Sequence, residues 1–288
     1  MDVKRIGLVA NTEKPDAHRL VSTLRKEFGR HPVHIDFEAR TAATIGLKSD
    51  LTVHDLGAIS DLLVVLGGDG TILEVLHALD GRIPPIFGIN IGTLGFLTCA
   101  GAADYLECVE TIVSGRYQLS ERTLIDVEIS RAGKVIFKRH GLNDAVISRG
   151  ELSRLIRLDV TVDGALLTEY NADGLIVSTA TGSTAYSLSA GGPVLSPDSG
   201  VFVITPICPH VLTNRSVIVP DHSRIDIAPS RRQETVFLTV DGRTAEPVEP
   251  GDSISITKAS GRLPLAMPPG VSFFEVLREK LKWSGTAV

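Results

Sequence analysis

Residues 62–73, LLVVLGGDGTIL, put a carboxylate where a negative charge needs explaining. Five aliphatic residues stop at Gly67 and Gly68, as a buried strand does on entering a tight turn, and the helix-like TILEVLHAL follows. Strand, glycine turn and helix is the arrangement with which open α/β sheets bind phosphate, through backbone N–H groups and the positive end of the helix dipole. Asp69 in that turn opposes a phosphate unless a cation or a proton lies between them. No lysine follows the glycines, so this is not the GxxxxGK[ST] phosphate loop, and it is not GxGxxG either. A plainer reading makes Asp69 the N-cap of a helix that begins near Thr71, after a loop whose glycines supply positive φ.

Other polar clusters suit a nucleotide. NADGLIVSTATGSTAYSLSAGGP, residues 171–193, holds seven Ser or Thr between Ser178 and Ser189, with Gly182, Gly191 and Gly192 in or beyond the run. Such a loop can offer neutral donors to phosphate or sugar oxygens, or it can be a polar surface loop. The interspersed Ala180, Ala185, Tyr186, Leu188 and Ala190 favour a packed loop that lines a cavity. In LNDAVISRGELSRLI, Asn143 offers donor and acceptor atoms and Asp144 an acceptor, a pairing suited to a ribose diol or an adenine edge; Arg149 and Arg154 follow. An Asn-Asp pair before a strand is also an ordinary turn. Asp173 and Asp241, each followed by Gly, are bland on their own. His210, stiffened by Pro206 and Pro209, reads as a cavity-edge imidazole or a structural histidine. No GxSxG elbow is present, because TGSTA has Thr two residues before its serine and Ala two residues after it, where the motif needs Gly, which disfavours hydrolase chemistry.

The elements that must position these residues change period along the chain. Up to about residue 119, strand-like RIGLVAN, VHIDF, DLLVVLGG and PIFGIN alternate with helix-like DAHRLVSTLRKEF, TILEVLHALD and DYLECVETIVSG. The first helix puts Leu20, Val21, Leu24 and Phe28 on one face. Alternation of this kind predicts a parallel sheet covered by helices. From about 120 the period becomes 2, in short strands joined by turn signals such as Asp163-Gly164, which predicts an all-β domain of two packed sheets. After Pro268-Pro269-Gly270, SFFEVLREKLKW has Ser272 and Glu275 at capping-box spacing and sets Phe274, Leu277 and Leu281 on one stripe. We therefore expect an α/β domain over 1–119 with segment 268–288 returning to pack on it, and a β-rich nucleotide-binding domain over 120–267.

Composition narrows the function. The 288 residues are 43% hydrophobic with a formal charge of −5, which argues against disorder and against nonspecific nucleic-acid binding. The longest apolar runs are far short of the roughly 20 residues of a membrane span, and MDVKRIGLVANTEK lacks the pattern of a signal peptide, so a cytoplasmic protein with no membrane partner is expected. Cys99, Cys108 and Cys208 have neither disulfide-framework nor zinc spacing. A polyphosphate ligand would be met by backbone N–H groups, a few arginines and a divalent cation.

Together, GGDGTIL at 67–73, GINIGTLGFL at 88–97, NDAVISRG at 143–150, DGLIVSTATGSTAYSLSAGGP at 173–193 and ITPICPH at 204–210 resemble, in order and spacing, the motifs of the NAD kinase family, and FFEVLREKLKW is similar to its C-terminal segment. The long hydroxyl-rich motif is the specific one, because phosphofructokinases and lipid kinases share GGDGT. The resemblance implies an α/β plus β architecture and a homodimer or homotetramer with the nucleotide site near subunit contacts. It implies phosphoryl transfer from ATP, or in some members polyphosphate, to the 2'-hydroxyl of the adenosine ribose of NAD, with a divalent cation such as Mg held through the donor's phosphates. Asp69 matches the catalytic aspartate and Gly70 a neighbour that contacts NAD. Asn143 and Asp144 match an Asn-Glu pair on the adenosine, Arg154 a binding arginine, and Asp173 a contact to the nicotinamide half. Thr184, Ala185, Tyr186, Ser187, Leu188 and Ser189 match the wall of the NAD site. Asp144 for Glu, Asn171 for a frequent Arg in the site, Arg243 for Gln and Glu74 for a basic or small residue are departures that bear on affinity and regulation.

The resemblance resolves the puzzle of Asp69. A ribose hydroxyl is a poor nucleophile, and a carboxylate within hydrogen-bond reach can orient it and take its proton; contact with the metal is the alternative role. Two other functions stay open on sequence alone: a lipid or other small-molecule kinase sharing GGDGT, and a noncatalytic NAD(P) sensor.

Overall fold

A computed structural model of the chain describes residues 3–79, 82–93, 95–150, 155–211, 213–230 and 235–283. The chain divides into two compact units, residues 1–121 with 263–288 and residues 122–262. In the first unit the order is β1 (Arg5–Ala10), α1 (Ala17–Phe28), β2 (His34–Phe37), α2 (Ala39–Thr44), α3 (Val53–Ile59), β3 (Leu62–Gly67), α4 (Asp69–Ala78), β4 (Ile86–Asn90), β5 (Ala100–Gly101) and α5 (Tyr105–Val113). The strands pair in parallel, β2-β1-β3-β4-β5. All six residues of β3 are buried, which is why that strand reads as an unbroken apolar run: helices cover the sheet. Leu20, Val21, Leu24 and Phe28 of α1 are buried as the helical spacing predicts.

The short helices α2 and α3 are not marked by apolar periodicity. Their starts are fixed by capping instead. The Glu38 carboxylate accepts from the N–H groups of Arg40 and Thr41, and Thr52 and Asp55 form a reciprocal capping box. The strand order places β1 and β3 side by side while the chain continues from them in opposite directions across the sheet. This is a topological switch point, and the carboxyl ends of strands at such a point form the usual ligand crevice of open α/β sheets. The glycine turn leaves β3 at that end, where the Asn11 N–H donates to the Leu66 carbonyl at 2.8 Å.

The second unit contains β6 (Gln118–Arg131), β7 (Lys134–Gly141), β8 (Asp144–Ser148), β9 (Ile156–Val162), β10 (Ala165–Ala172), β11 (Gly174–Thr179), α6 (Tyr186–Ser189), β12 (Val201–Ile207), β13 (Val217–Pro220), β14 (Ile225–Pro229), β15 (Val236–Val240), β16 (Glu246–Val248) and β17 (Ser253–Met267), the first and last of these crossing the unit boundary. One antiparallel sheet runs β13-β12-β11-β8-β15-β16 and the other contains β10-β9-β14-β17. Alternate residues of both, among them Leu158 and Val160, Leu175 and Val177, Phe202 and Ile204, Leu238 and Val240, and Ile254 and Ile256, form one core. Asp163 and Gly164 both take positive φ, as a tight hairpin between β9 and β10 requires.

The last helix among the described residues is α7 (Phe273–Lys280) in the first unit, where the Phe273 ring lies 6.0 Å from that of Phe96. Ser272 is its N-cap, bonded to the Phe274 N–H at 3.3 Å. The expected stripe needs correction: Val276 and Leu277 are buried, whereas Phe274 is 60% exposed. An eight-residue helix after a glycine turn has few constraints on its rotation, and the ring contact of Phe273 fixes it one position away from the predicted stripe.

Candidate active site

Asp69 is the first residue of α4, and Gly68 precedes it as the cap. The helix therefore starts two residues earlier than expected, and the capping reading of Asp69 is set aside. Its carboxylate bonds outside the helix, accepting from the Phe96 N–H at 2.9 Å on one oxygen and from the Leu97 N–H at 3.0 Å on the other. Each oxygen keeps a second lone pair for a ligand. The donors belong to the turn after β4, which is pinned by Thr98: its hydroxyl oxygen accepts from the Gly95 N–H at 2.8 Å and from the Asn90 side-chain amide at 3.2 Å. Gly95 itself is obligatory on steric grounds, since a Cβ there would overlap the Asp69 carboxylate. Gly67 is equally constrained, with Thr71 against it.

Gly70 differs. It has no positive φ, and a Cβ would meet nothing within 4 Å, so the fold itself makes no demand for glycine there. The space beside the positive end of α4 is open to an incoming group. Glu74, one turn on, lines a neighbouring cleft of about 280 Å³ with Asn11, Thr12, Arg40 and Thr71.

In the second unit, Asn143, Asp144, Ala185, Tyr186, Thr239 and Asp241 line a cavity of about 370 Å³, a size suited to a small-molecule group. Asp144 begins β8 and is only 4% exposed. Burial, reinforced by the negative charge of Asp241, pushes its carboxyl up to about 7. Near neutral pH it therefore exists both as carboxylate and as carboxylic acid, and the acid form can donate a hydrogen bond.

The hydroxyl-rich stretch takes a role that sequence reading missed. Most of its hydroxyls are buried and bond within the protein. Ser178 donates to the Asn143 carbonyl at 3.1 Å, Thr179 to the Leu142 carbonyl, and Ser183 to the Ala180 carbonyl at 2.7 Å, while Ser187 and Thr205 share a bond of 3.2 Å. They tie β11 to the Asn143 turn and α6 to β12 rather than forming a row of donors for phosphate. Gly182 packs against the backbone of Asn143 with no room for a Cβ. Ala185 and Tyr186 reach the cavity wall; Thr184, Ser187, Leu188 and Ser189 do not line it.

The remaining site candidates lie elsewhere in the unit. Asp144 pairs with Ser178 near one end of β11, and Asp173 precedes the other end, a separation of about 17 Å at roughly 3.3 Å per residue. There Asp173 forms an ion pair with Arg149 at 3.4 Å. Asn171 lies on β10, its carbonyl accepting from the His210 N–H at 2.9 Å, and His210 is exposed and outside the cavity. Arg154 falls outside the described residues. Among the described residues no three His, Cys, Asp or Glu side chains cluster as a metal cage.

A parallel sheet with a carboxylate-bearing glycine turn at its switch point, joined in the chain to a β unit with a cavity of small-molecule size, suits a phosphotransferase. Comparison with known proteins specifies which. The ATP-NAD kinase N-terminal domain matches residues 6–117 and the ATP-NAD kinase C-terminal domain matches residues 142–267. The chain is 46% identical over 285 residues to the NAD kinase of Geotalea daltonii, covering 98% of this chain and 99% of that protein. It is 38% identical over 281 residues to that of Solibacter usitatus, covering 98% of each. The fold superposes on the yeast NADH kinase complexed with NADH with a TM-score of 0.91 at 28% identity, covering 100% of this chain and 90% of that one. For the Archaeoglobus fulgidus NAD kinase in complex with ATP the values are 0.74 and 25%, covering 96% and 98%. The chain belongs to the NAD kinase family and is an enzyme that phosphorylates NAD. The lipid-kinase and sensor alternatives are not favoured.

Proposed function

We propose that the chain transfers the terminal phosphoryl group of ATP to the 2'-hydroxyl of the adenosine ribose of NAD, with Asp69 as the group that orients this hydroxyl and receives its proton. The bond between the ribose oxygen and phosphorus forms as the bond from phosphorus to the oxygen of the departing ADP breaks. The observation that carries this reading is the grip on Asp69: two backbone N–H groups fix both carboxylate oxygens at the head of α4 and leave each a free lone pair. Such preorganisation is what a positioned proton acceptor requires. The open space at Gly70 supports close approach of the substrate there.

Asn143 and Asp144 are assigned to the adenosine, with Ala185 and Tyr186 completing that wall. Arg154, Asn171 and Asp173, with Thr184, Ser187, Leu188 and Ser189, are assigned to the rest of the substrate or to the support of the wall. A divalent cation, Mg by its chemistry, fits this residue set through the donor's phosphates with Asp69 as the protein carboxylate nearest the turn, and it would neutralise charge on the transferring group. We place the enzyme in the cytoplasm as a homo-oligomer; among the described residues no helix is long and apolar enough to cross a membrane.

The test is incubation of the purified protein with NAD, ATP and Mg, with NADP detected by an NADP-specific dehydrogenase. NADP formation that needs all three components is expected. NAD binding without turnover, or phosphorylation of another alcohol only, overturns the reading.

A further inference from the structure

The Asn143-Asp144 turn is held from one side by a residue that none of the expected roles includes. Asp241, at the end of β15, accepts from three successive backbone N–H groups: Leu142 at 2.8 Å on one oxygen, and Asn143 at 2.7 Å and Asp144 at 3.1 Å on the other. Its own N–H returns a bond to the Asp144 carbonyl at 2.9 Å. The residue has φ 51°, the left-handed region, which Asp tolerates better than most non-glycine residues. The following Gly242 takes φ 66°. The turn after β15 is thus shaped to bring a carboxylate under the Asn143 backbone, and Asp241 itself borders the cavity.

We infer that Asp241 is a positioning residue for nucleoside recognition: its carboxylate sets where the Asn143 amide and the Asp144 carboxyl stand in the cavity. The inference rests on the assignment of the adenosine to Asn143 and Asp144. Asp241 also acts through charge. The groups that face Asp144 come from β11, β15 and α6, and among the described residues lining the cavity the ionisable ones are Asp144, Asp241 and the Tyr186 phenol. The like charge of Asp241 favours the protonated form of Asp144, the direction found. Asp241 therefore fixes both the place of the Asp144 carboxyl and the pH range over which it donates rather than only accepts.

The experiment compares wild type, Asp241→Asn, Asp241→Ala and Asn143→Ala for KM of NAD, kcat and melting temperature, with KM followed from pH 5.5 to 8.5. Asn keeps one oxygen for the Asn143 and Asp144 N–H groups but turns an amide N–H toward that of Leu142. Asp241→Asn should raise KM roughly tenfold and Asp241→Ala roughly a hundredfold, as expected for loss of one or more charge-assisted bonds, with a smaller change in kcat. The wild-type inflection of log KM near pH 7 should move to lower pH in Asp241→Asn, which a purely structural role would not produce. Should the Ala variant fail to fold, the Asn variant and the wild-type pH profile carry the test alone. Unchanged KM and an unmoved inflection in a stably folded Asp241→Asn protein overturn the inference. Asn143→Ala separates the two levels: a raised KM there with a normal Asp241→Asn rejects only the role of Asp241, whereas a normal KM in Asn143→Ala rejects the placement of the adenosine.

Discussion

At the scale of single residues, the two carboxylates of interest are treated oppositely by their surroundings. Asp69 is surrounded by backbone donors, Asp144 by burial and a like charge. The consequence for Asp144 reaches stability. Its carboxyl is raised from 3.8 to about 7, so between those values the folded protein keeps a proton that the unfolded chain has released. Stability must therefore fall as pH rises through this window, and above it the cost is constant, as much as roughly 4 kcal/mol. Asp144→Asn removes the titration while keeping the shape. The melting temperature of Asp144→Asn relative to wild type should rise from pH 5 to pH 8, by several degrees over the range. A difference that does not change with pH would contradict the burial assigned to Asp144.

At the scale of elements, the Asp69 carboxylate, proposed to take the ribose proton, depends on a turn 27 residues downstream. Gly95→Ala forces a methyl group onto the Asp69 carboxylate and must displace one of the two. We predict a fall in kcat of tenfold or more, with KM for NAD within about threefold of wild type and the fold retained; unaltered turnover would show that this turn does not position the reaction. Nothing in the sequence announces that coupling. The donors to Asp69 are main-chain N–H groups of Phe96 and Leu97, which carry no residue signature. The same blindness applies to Asp241, which as an Asp-Gly before a turn looks like ordinary turn chemistry. What did read out was whatever burial imposes at a fixed period: the α1 face, the fully apolar β3, and the alternation of Leu158 with Val160 or Ile225 with Ile227. Helices α2 and α3, built on capping rather than on an apolar stripe, did not, and neither did the rotation of α7. The hydroxyl-rich motif reads from sequence as a set of donors for a ligand, whereas Ser178, Thr179 and Ser183 bond to carbonyls that sequence cannot locate.

At the scale of the whole molecule, the β unit leaves strand edges whose unpaired backbone groups invite pairing with another chain. Edge strand β10 carries Leu166 at 70% exposure, and β7, which among the described residues pairs with β6 alone, carries the exposed Val135 and Ile136. We predict a dimer or tetramer by light scattering at micromolar concentration, and a monomeric mass would contradict the assembly. Turnover itself is a property of the intact enzyme, and Asp69→Asn tests its central claim most directly. Asn keeps the size and one acceptor oxygen but sets an amide N–H against the Phe96 or the Leu97 N–H and has no basicity. With saturating NAD, ATP and Mg, kcat should fall roughly 10²- to 10⁴-fold while NAD affinity stays within a few-fold and the melting temperature drops only modestly. A kcat near that of wild type in this variant would contradict the assignment of Asp69 as the acceptor of the ribose proton.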